Sequence, residues 1–77
     1  MTNSAGLRIK AELKKRGWNQ AILAEVIGKD AKAVGQIING KRKITPNTAI
    51  LLGAAFGLPP IYWLKLQVED QLANFKA

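Results

Sequence analysis

Glycines at 17, 28, 40 and 57 cut the chain into segments of helical length, and between them apolar residues recur at spacings of three and four. Strand-like alternation is missing, so the pattern predicts an all-α fold. The first helix runs from about Ala5 to Arg16. Ile9 and Leu13 share one face, Lys10, Lys14 and Lys15 face water, and Gly17 stops the helix after its basic last turn. Asn19 is placed to cap a second helix over Gln20 to Ile27, with Leu23, Ala24 and Ile27 inward and Gly28 at its end. Lys29-Asp30 bridge a short turn, and Asp30 caps a third helix, about Ala31 to Asn39, that turns Val34, Ile37 and Ile38 inward. Thr45-Pro46 pairs an N-cap with proline at the first helical position and opens a fourth helix that ends at Gly57. Pro59-Pro60 restarts the chain as a fifth helix, about Pro60 to Ala73, carrying Ile61, Leu64, Val68, Leu72 and Phe75 at helical spacing. Trp18 reads as core, whereas Tyr62 and Trp63 fit either a core or an interface.

Composition narrows the chemistry. With 77 residues the chain reads as one domain over 1–77, a size that buries only about 60% of the unfolded surface. It has no cysteine and no histidine. That excludes disulfides and thiol chemistry, removes the commonest metal ligand and the commonest general base, and predicts no metal site and no cofactor. The five acids are Glu12, Glu25, Asp30, Glu69 and Asp70. No two of them are arranged as an acid–base couple, and the prediction is that the chain is not an enzyme. Residues 1–45 hold ten lysines and arginines against three acids, the whole net charge of +7, while residues 46–77 are neutral. A basic block beside a neutral one points to a polyanion-binding part and a packing or partner part. The N-terminal Met1-Thr2-Asn3-Ser4-Ala5-Gly6 has no apolar leader pattern. The apolar stretch Ala49 to Leu64 is 16 residues, interrupted by Gly53, Gly57 and Pro59-Pro60, too short to span a membrane. A cytoplasmic protein with no membrane partner is expected.

The run Gln20 to Ile37, QAILAEVIGKDAKAVGQI, carries the strongest signal. Two helices crossing at a tight turn need a small residue at the crossing, here Ala24, and a backbone free to turn, here Gly28. Leu23, Ile27, Val34 and Ile37 then fill the wedge between them. This predicts a helix-turn-helix over about 20–38 with the outer face of its second member free to enter a groove.

The run Trp18-Asn19-Gln20 through Leu23-Ala24-Glu25, Gly28, Val34, Ile37 and Asn39-Gly40-Lys41-Arg42 resembles the Cro/phage-repressor (XRE) helix-turn-helix family. Ile44-Thr45-Pro46-Asn47-Thr48-Ala49, followed by Phe56-Gly57-Leu58-Pro59-Pro60-Ile61-Tyr62-Trp63-Leu64-Lys65-Leu66-Gln67, is similar to its HigA-type antitoxin branch, which shows the pattern I-[ST]-P-x-x-A … G-x-x-P-x-x-W-L-x-L-Q. The resemblance implies a five-helix domain, a homodimer, binding of double-stranded DNA at an inverted-repeat operator, and partnership with a small ribonuclease toxin.

Two positions depart from that family. Lys29 stands where the turn is often apolar, and the exposed face of the third helix offers Ala31, Lys32, Ala33, Gly35 and Gln36 in place of a set rich in Gln, Arg, Ser and Thr. Lys32 can donate to guanine, Gln36 can pair with adenine, and Ala31 or Ala33 can touch a thymine methyl. Direct readout is therefore expected to be sparse, with specificity leaning on DNA shape. Phosphate contacts are expected from Asn19 and Gln20 at the N-terminus of the second helix. Others are expected from Lys41, Arg42 and Lys43 after the third helix, and from Thr45 and Asn47 at the start of the fourth. A dimer then neutralises roughly six to eight phosphates. Lys10, Lys14, Lys15 and Arg16 are expected to add a background field. The stripe Ile61, Leu64, Val68, Leu72 and Phe75 is expected to form the dimer seam, the alternative being a cover for the other helices. Two further readings stand beside the antitoxin: a stand-alone Cro-like regulator without a toxin, and a protein-interaction module with a basic face.

Overall fold

The computed structural model describes residues 3–75. Met1, Thr2, Lys76 and Ala77, which enter the N-terminal reading and the charge count above, lie outside the described residues. The chain folds into five helices: α1 Ser4–Arg16, α2 Gln20–Ile27, α3 Ala31–Ile38, α4 Pro46–Phe56 and α5 Pro60–Ala73. The described residues contain no strand.

Local chemistry sets the boundaries. Asn19, Asp30 and Thr45 accept hydrogen bonds from the backbone N–H three residues on, at 2.9, 2.7 and 3.2 Å, and so satisfy donors that the first helical turn leaves open. Gly28 ends α2 in the left-handed region at φ 70°, with its N–H turned back to Ala24 and Glu25. A side chain is strained there, so the tight α2–α3 turn rests on glycine. The first helix starts one residue earlier than its pattern predicts. Asn3 caps it through Gly6 N–H at 3.3 Å and also donates from Nδ2 to the carbonyl of Ile38 at 2.8 Å. Gly6 sits at that crossing. A Cβ on it would lie 2.0 Å from Ile38 O, so the approach of α1 to the end of α3 requires glycine.

One core joins all five helices. It contains Ile9 and Leu13 of α1, Leu23, Ala24 and Ile27 of α2, Val34, Ile37 and Ile38 of α3, Ala49, Leu52 and Phe56 of α4, and Trp63 of α5. Each large side chain buried this fully contributes about 1.5–3 kcal/mol relative to exposure. Trp18 is half-buried against Phe56, with ring centroids 6.1 Å apart, as its core reading predicts. Trp63 resolves to core at 0% exposure, and Tyr62 packs edge-on against it at 5.5 Å.

The fifth helix buries a face other than its apolar stripe. Its inward face is Tyr62, Trp63, Leu66, Gln67 and Asp70, so the apolar stripe does not cover the other helices. Ile61, Val68, Leu72 and Phe75 are 70%, 50%, 72% and 74% exposed, and Leu64 lies half-buried at the edge of the core. Phe75 falls beyond the last helical residue, Ala73.

Arg16 differs from its expected role. It is a clamp within the fold, not a background charge. Its guanidinium donates to the buried Glu12 carboxylate at 3.1 Å and to the carbonyl of Phe56 at 3.1 Å, and lies 4.9 Å over the Phe56 ring. Arg8 approaches the other oxygen of Glu12 at 3.7 Å. Among the described residues no helix is long and apolar enough to cross a membrane.

Candidate nucleic-acid interface

The wedge residues Leu23, Ile27, Val34 and Ile37 are all buried, which holds α3 against α2 and leaves its other face outward. On that face Ala31 and Lys32 are exposed, and Ala33, Gly35 and Gln36 are half-buried. Lys32 and Gln36 are four residues apart and share one side of the helix. Gln20, exposed at the first position of α2, leans across onto α3. Its Oε1 lies where a Cβ on Gly35 would be 3.2 Å away.

Two residues expected at phosphates are also caps. The Asn19 oxygen accepts from Ile22 N–H, and the Thr45 hydroxyl accepts from Thr48 N–H while meeting the Thr48 hydroxyl at 3.1 Å. The Asn19 cap uses only the side-chain oxygen, so the amide N–H groups are left outside that bond, beside the positive end of the α2 dipole. Asn47 is exposed in the first turn of α4. Lys41, Arg42 and Lys43 are exposed, and among the described residues neither they nor Lys32 pair with a carboxylate.

The basic loop is held at both ends. At its start the N–H groups of Lys41 and Arg42 donate to the carbonyl of Gln36 at 2.8 and 3.2 Å. The Arg42 guanidinium donates from Nε and Nη2 to Gln36 Oε1 at 3.1 and 2.9 Å. At its end Ile44 is buried, and both its backbone groups are met by Gln67 of α5. The Gln67 oxygen accepts from Ile44 N–H, and its Nε2 donates to Ile44 O at 2.7 Å. Beside this contact Asp70 accepts from Ser4 N–H at 2.9 Å and Ala5 N–H at 3.1 Å, capping α1 from α5. Burial alone would push the Asp70 carboxyl up. The two N–H groups and the Ser4 side chain outweigh it and hold the group below its ordinary value.

Sequence reasoning placed the outward face and the cations together but missed Asn3, Gln67 and Asp70, whose partners Ile38, Ile44 and Ser4 are far away in sequence, and the ion pairs of Glu12 within α1. A signal for two of them exists. Gln67 and Asp70 fall four and seven residues after Trp63, on the face that Trp63 buries.

The helix-turn-helix family model matches residues 9–63. The chain belongs to the helix-turn-helix family. Within that family it is similar to a protein named as an antidote of a plasmid maintenance system from Nostoc punctiforme. The two share 38% identity, covering 90% of this chain and 76% of that one, with a TM-score of 0.85. It is also similar to the antitoxin HigA of Pseudomonas aeruginosa, solved with the higBA promoter, at 31% identity over 90% of this chain and 76% of that one, with a TM-score of 0.83. Virulence-associated protein A′ of Dichelobacter nodosus is 38% identical over 90% of this chain, which spans 61% of that relative's length.

Proposed function

We propose that this helix-turn-helix protein is a non-catalytic, sequence-specific DNA-binding repressor and the antitoxin of a type II toxin–antitoxin pair. On this reading it works in the cytoplasm as a homodimer on an inverted-repeat operator in its own promoter, and it neutralises a small ribonuclease toxin. The observation that carries the reading is the outward face of α3, with Lys32 exposed and Gln36 half-buried beside it, and with the cations Lys32, Lys41, Arg42 and Lys43 unpaired with any carboxylate among the described residues. The likeness to an antitoxin solved with promoter DNA supports it.

The roles follow from position. Ala31, Lys32, Ala33 and Gln36 enter the major groove, where an α-helix fits and base edges are distinguishable. Asn19, Gln20, Lys41, Lys43, Thr45 and Asn47 meet the phosphates on either side and set the register of the helix. The outward stripe of exposed Ile61, Val68 and Leu72 and half-buried Leu64 closes against its copy across a two-fold axis, with Phe75 continuing the seam beyond the helix. That arrangement spaces two reading helices one DNA turn apart, about 34 Å.

The test is footprinting on the DNA upstream of the chain's own reading frame, combined with co-expression beside the product of the neighbouring frame. The reading expects a protected inverted repeat and rescue of growth from the neighbour's toxicity. Protection without rescue would leave a stand-alone regulator, and the absence of both protection and rescue would overturn the assignment.

A further inference from the structure

We infer that Arg42 is a base-reading residue directed at guanine, and that Gln36 is its positioning residue and not an adenine reader. The inference rests on the DNA-binding reading above and deepens it.

The argument begins with lone pairs. A side-chain amide oxygen has two, and Gln36 Oε1 already accepts two N–H groups from Arg42, at 3.1 and 2.9 Å. Pairing with adenine requires that oxygen to accept from the base's amino group while the Gln nitrogen donates to N7. In this geometry the acceptor half of that pair is occupied. Gln36 is left with donors only, which do not distinguish adenine from guanine at N7.

Arg42 gains what Gln36 gives up. Nε and one N–H of Nη2 are held by the amide, so the opposite edge of the guanidinium, the N–H groups of Nη1 and the outer one of Nη2, is a free fork. Two parallel donors match O6 and N7 of guanine. The backbone of Arg42 is fixed as well, because its N–H and that of Lys41 both turn back to the Gln36 carbonyl, after a reversal at Gly40 with φ 77°. Four hydrogen bonds from the loop therefore end on one residue of the reading helix. A cation whose only task is to meet a phosphate has no need of that anchoring. Arg42 also keeps its full charge, since no carboxylate pairs with it among the described residues.

The test is selection from a random duplex library by the full chain and by three variants, with binding to a non-specific duplex measured in parallel. The wild-type site is expected to carry a guanine in each half-site. Arg42→Lys keeps the charge and loses the fork, so it should lower that guanine preference by about 10- to 100-fold while holding non-specific affinity nearly constant. Gln36→Ala should erode preference at the same base pair and no other. Gln36→Glu still accepts from both N–H groups, so it should retain the guanine while lowering affinity for all DNA. Uniform weakening by Arg42→Lys would make Arg42 a phosphate contact and overturn the inference. So would an adenine preference lost in Gln36→Ala and untouched in Arg42→Lys. Either result would leave the DNA-binding reading standing. Enrichment of no sequence by the wild-type chain would overturn both.

Discussion

Gln67 holds Ile44 by both of its backbone groups, so one side chain of α5 closes the basic loop as a neighbouring strand would. Ile44 opens the I-T-P segment and Gln67 ends the W-L-x-L-Q segment, and this contact is where the two meet. Replacing Gln67 with Leu keeps most of the volume and leaves a buried N–H and C=O unpaired. We expect a loss of about 1–3 kcal/mol, read as a fall in Tm of several degrees with helical content retained. Weaker DNA binding should accompany it, because Lys41 and Lys43 lose the anchor that orders their loop.

Glu12 is buried and depends on Arg16. Arg16→Leu removes its nearest cation and the bond to Phe56 O, leaving Arg8 at 3.7 Å. A buried charge without its partner is costly, and urea denaturation should register a loss of about 2–4 kcal/mol. Lys15→Ala, on the exposed side of the same helix, should stay within about 0.5 kcal/mol of wild type.

Asp70 makes stability depend on acid. Its carboxyl is held below its ordinary value when folded, because the bonds from Ser4 and Ala5 outweigh its burial. The folded state therefore binds this proton less readily than the unfolded state. The stabilisation is complete above the unfolded value near pH 4 and disappears as pH falls below it. Asp70→Asn should be less stable than wild type by about 1–2 kcal/mol at pH 7. Chemical denaturation at successive pH values should find that gap closing below about pH 4.

What was readable in the sequence was what short-range physics decides. Asn19, Asp30 and Thr45 cap within three residues of themselves, and Gly28 turns the chain where it stands, so the helices and the outward face of α3 could be placed. The contacts that position the interface join residues 23 to 66 apart in sequence, as in Gln67 to Ile44, Asn3 to Ile38 and Asp70 to Ser4. Polarity misleads there. Gln67 and Asp70 look like the wet side of α5, yet they face inward because each satisfies backbone groups that would otherwise be buried unpaired. The stripe Ile61, Leu64, Val68 and Leu72 leaves seam and cover both open, and it lies mostly outward because Trp63, with Tyr62 and Leu66, fills the inward side of α5. Arg42 and Gln36 were assigned separately to phosphate and base because a sequence does not reveal that one side chain occupies the acceptor of the other.

Val68 lies at the centre of the exposed α5 stripe. Val68→Glu puts a charge on the proposed seam without touching the protomer core, so the thermal melt at low concentration should barely move. Sedimentation should find monomer where wild type is dimer, and affinity for a two-half-site operator should fall by at least tenfold. An unchanged dimer would place the seam elsewhere.

The most direct measurement is fluorescence anisotropy of the chain on the duplex upstream of its own reading frame and on a scrambled duplex, at 50 to 200 mM salt. With roughly six to eight phosphates neutralised per dimer, affinity should fall about 10³–10⁴-fold across that range. The upstream duplex should bind about 10³-fold or more tighter than the scrambled one at every salt concentration. Equal affinity for the two duplexes, or an affinity nearly independent of salt, would contradict the account.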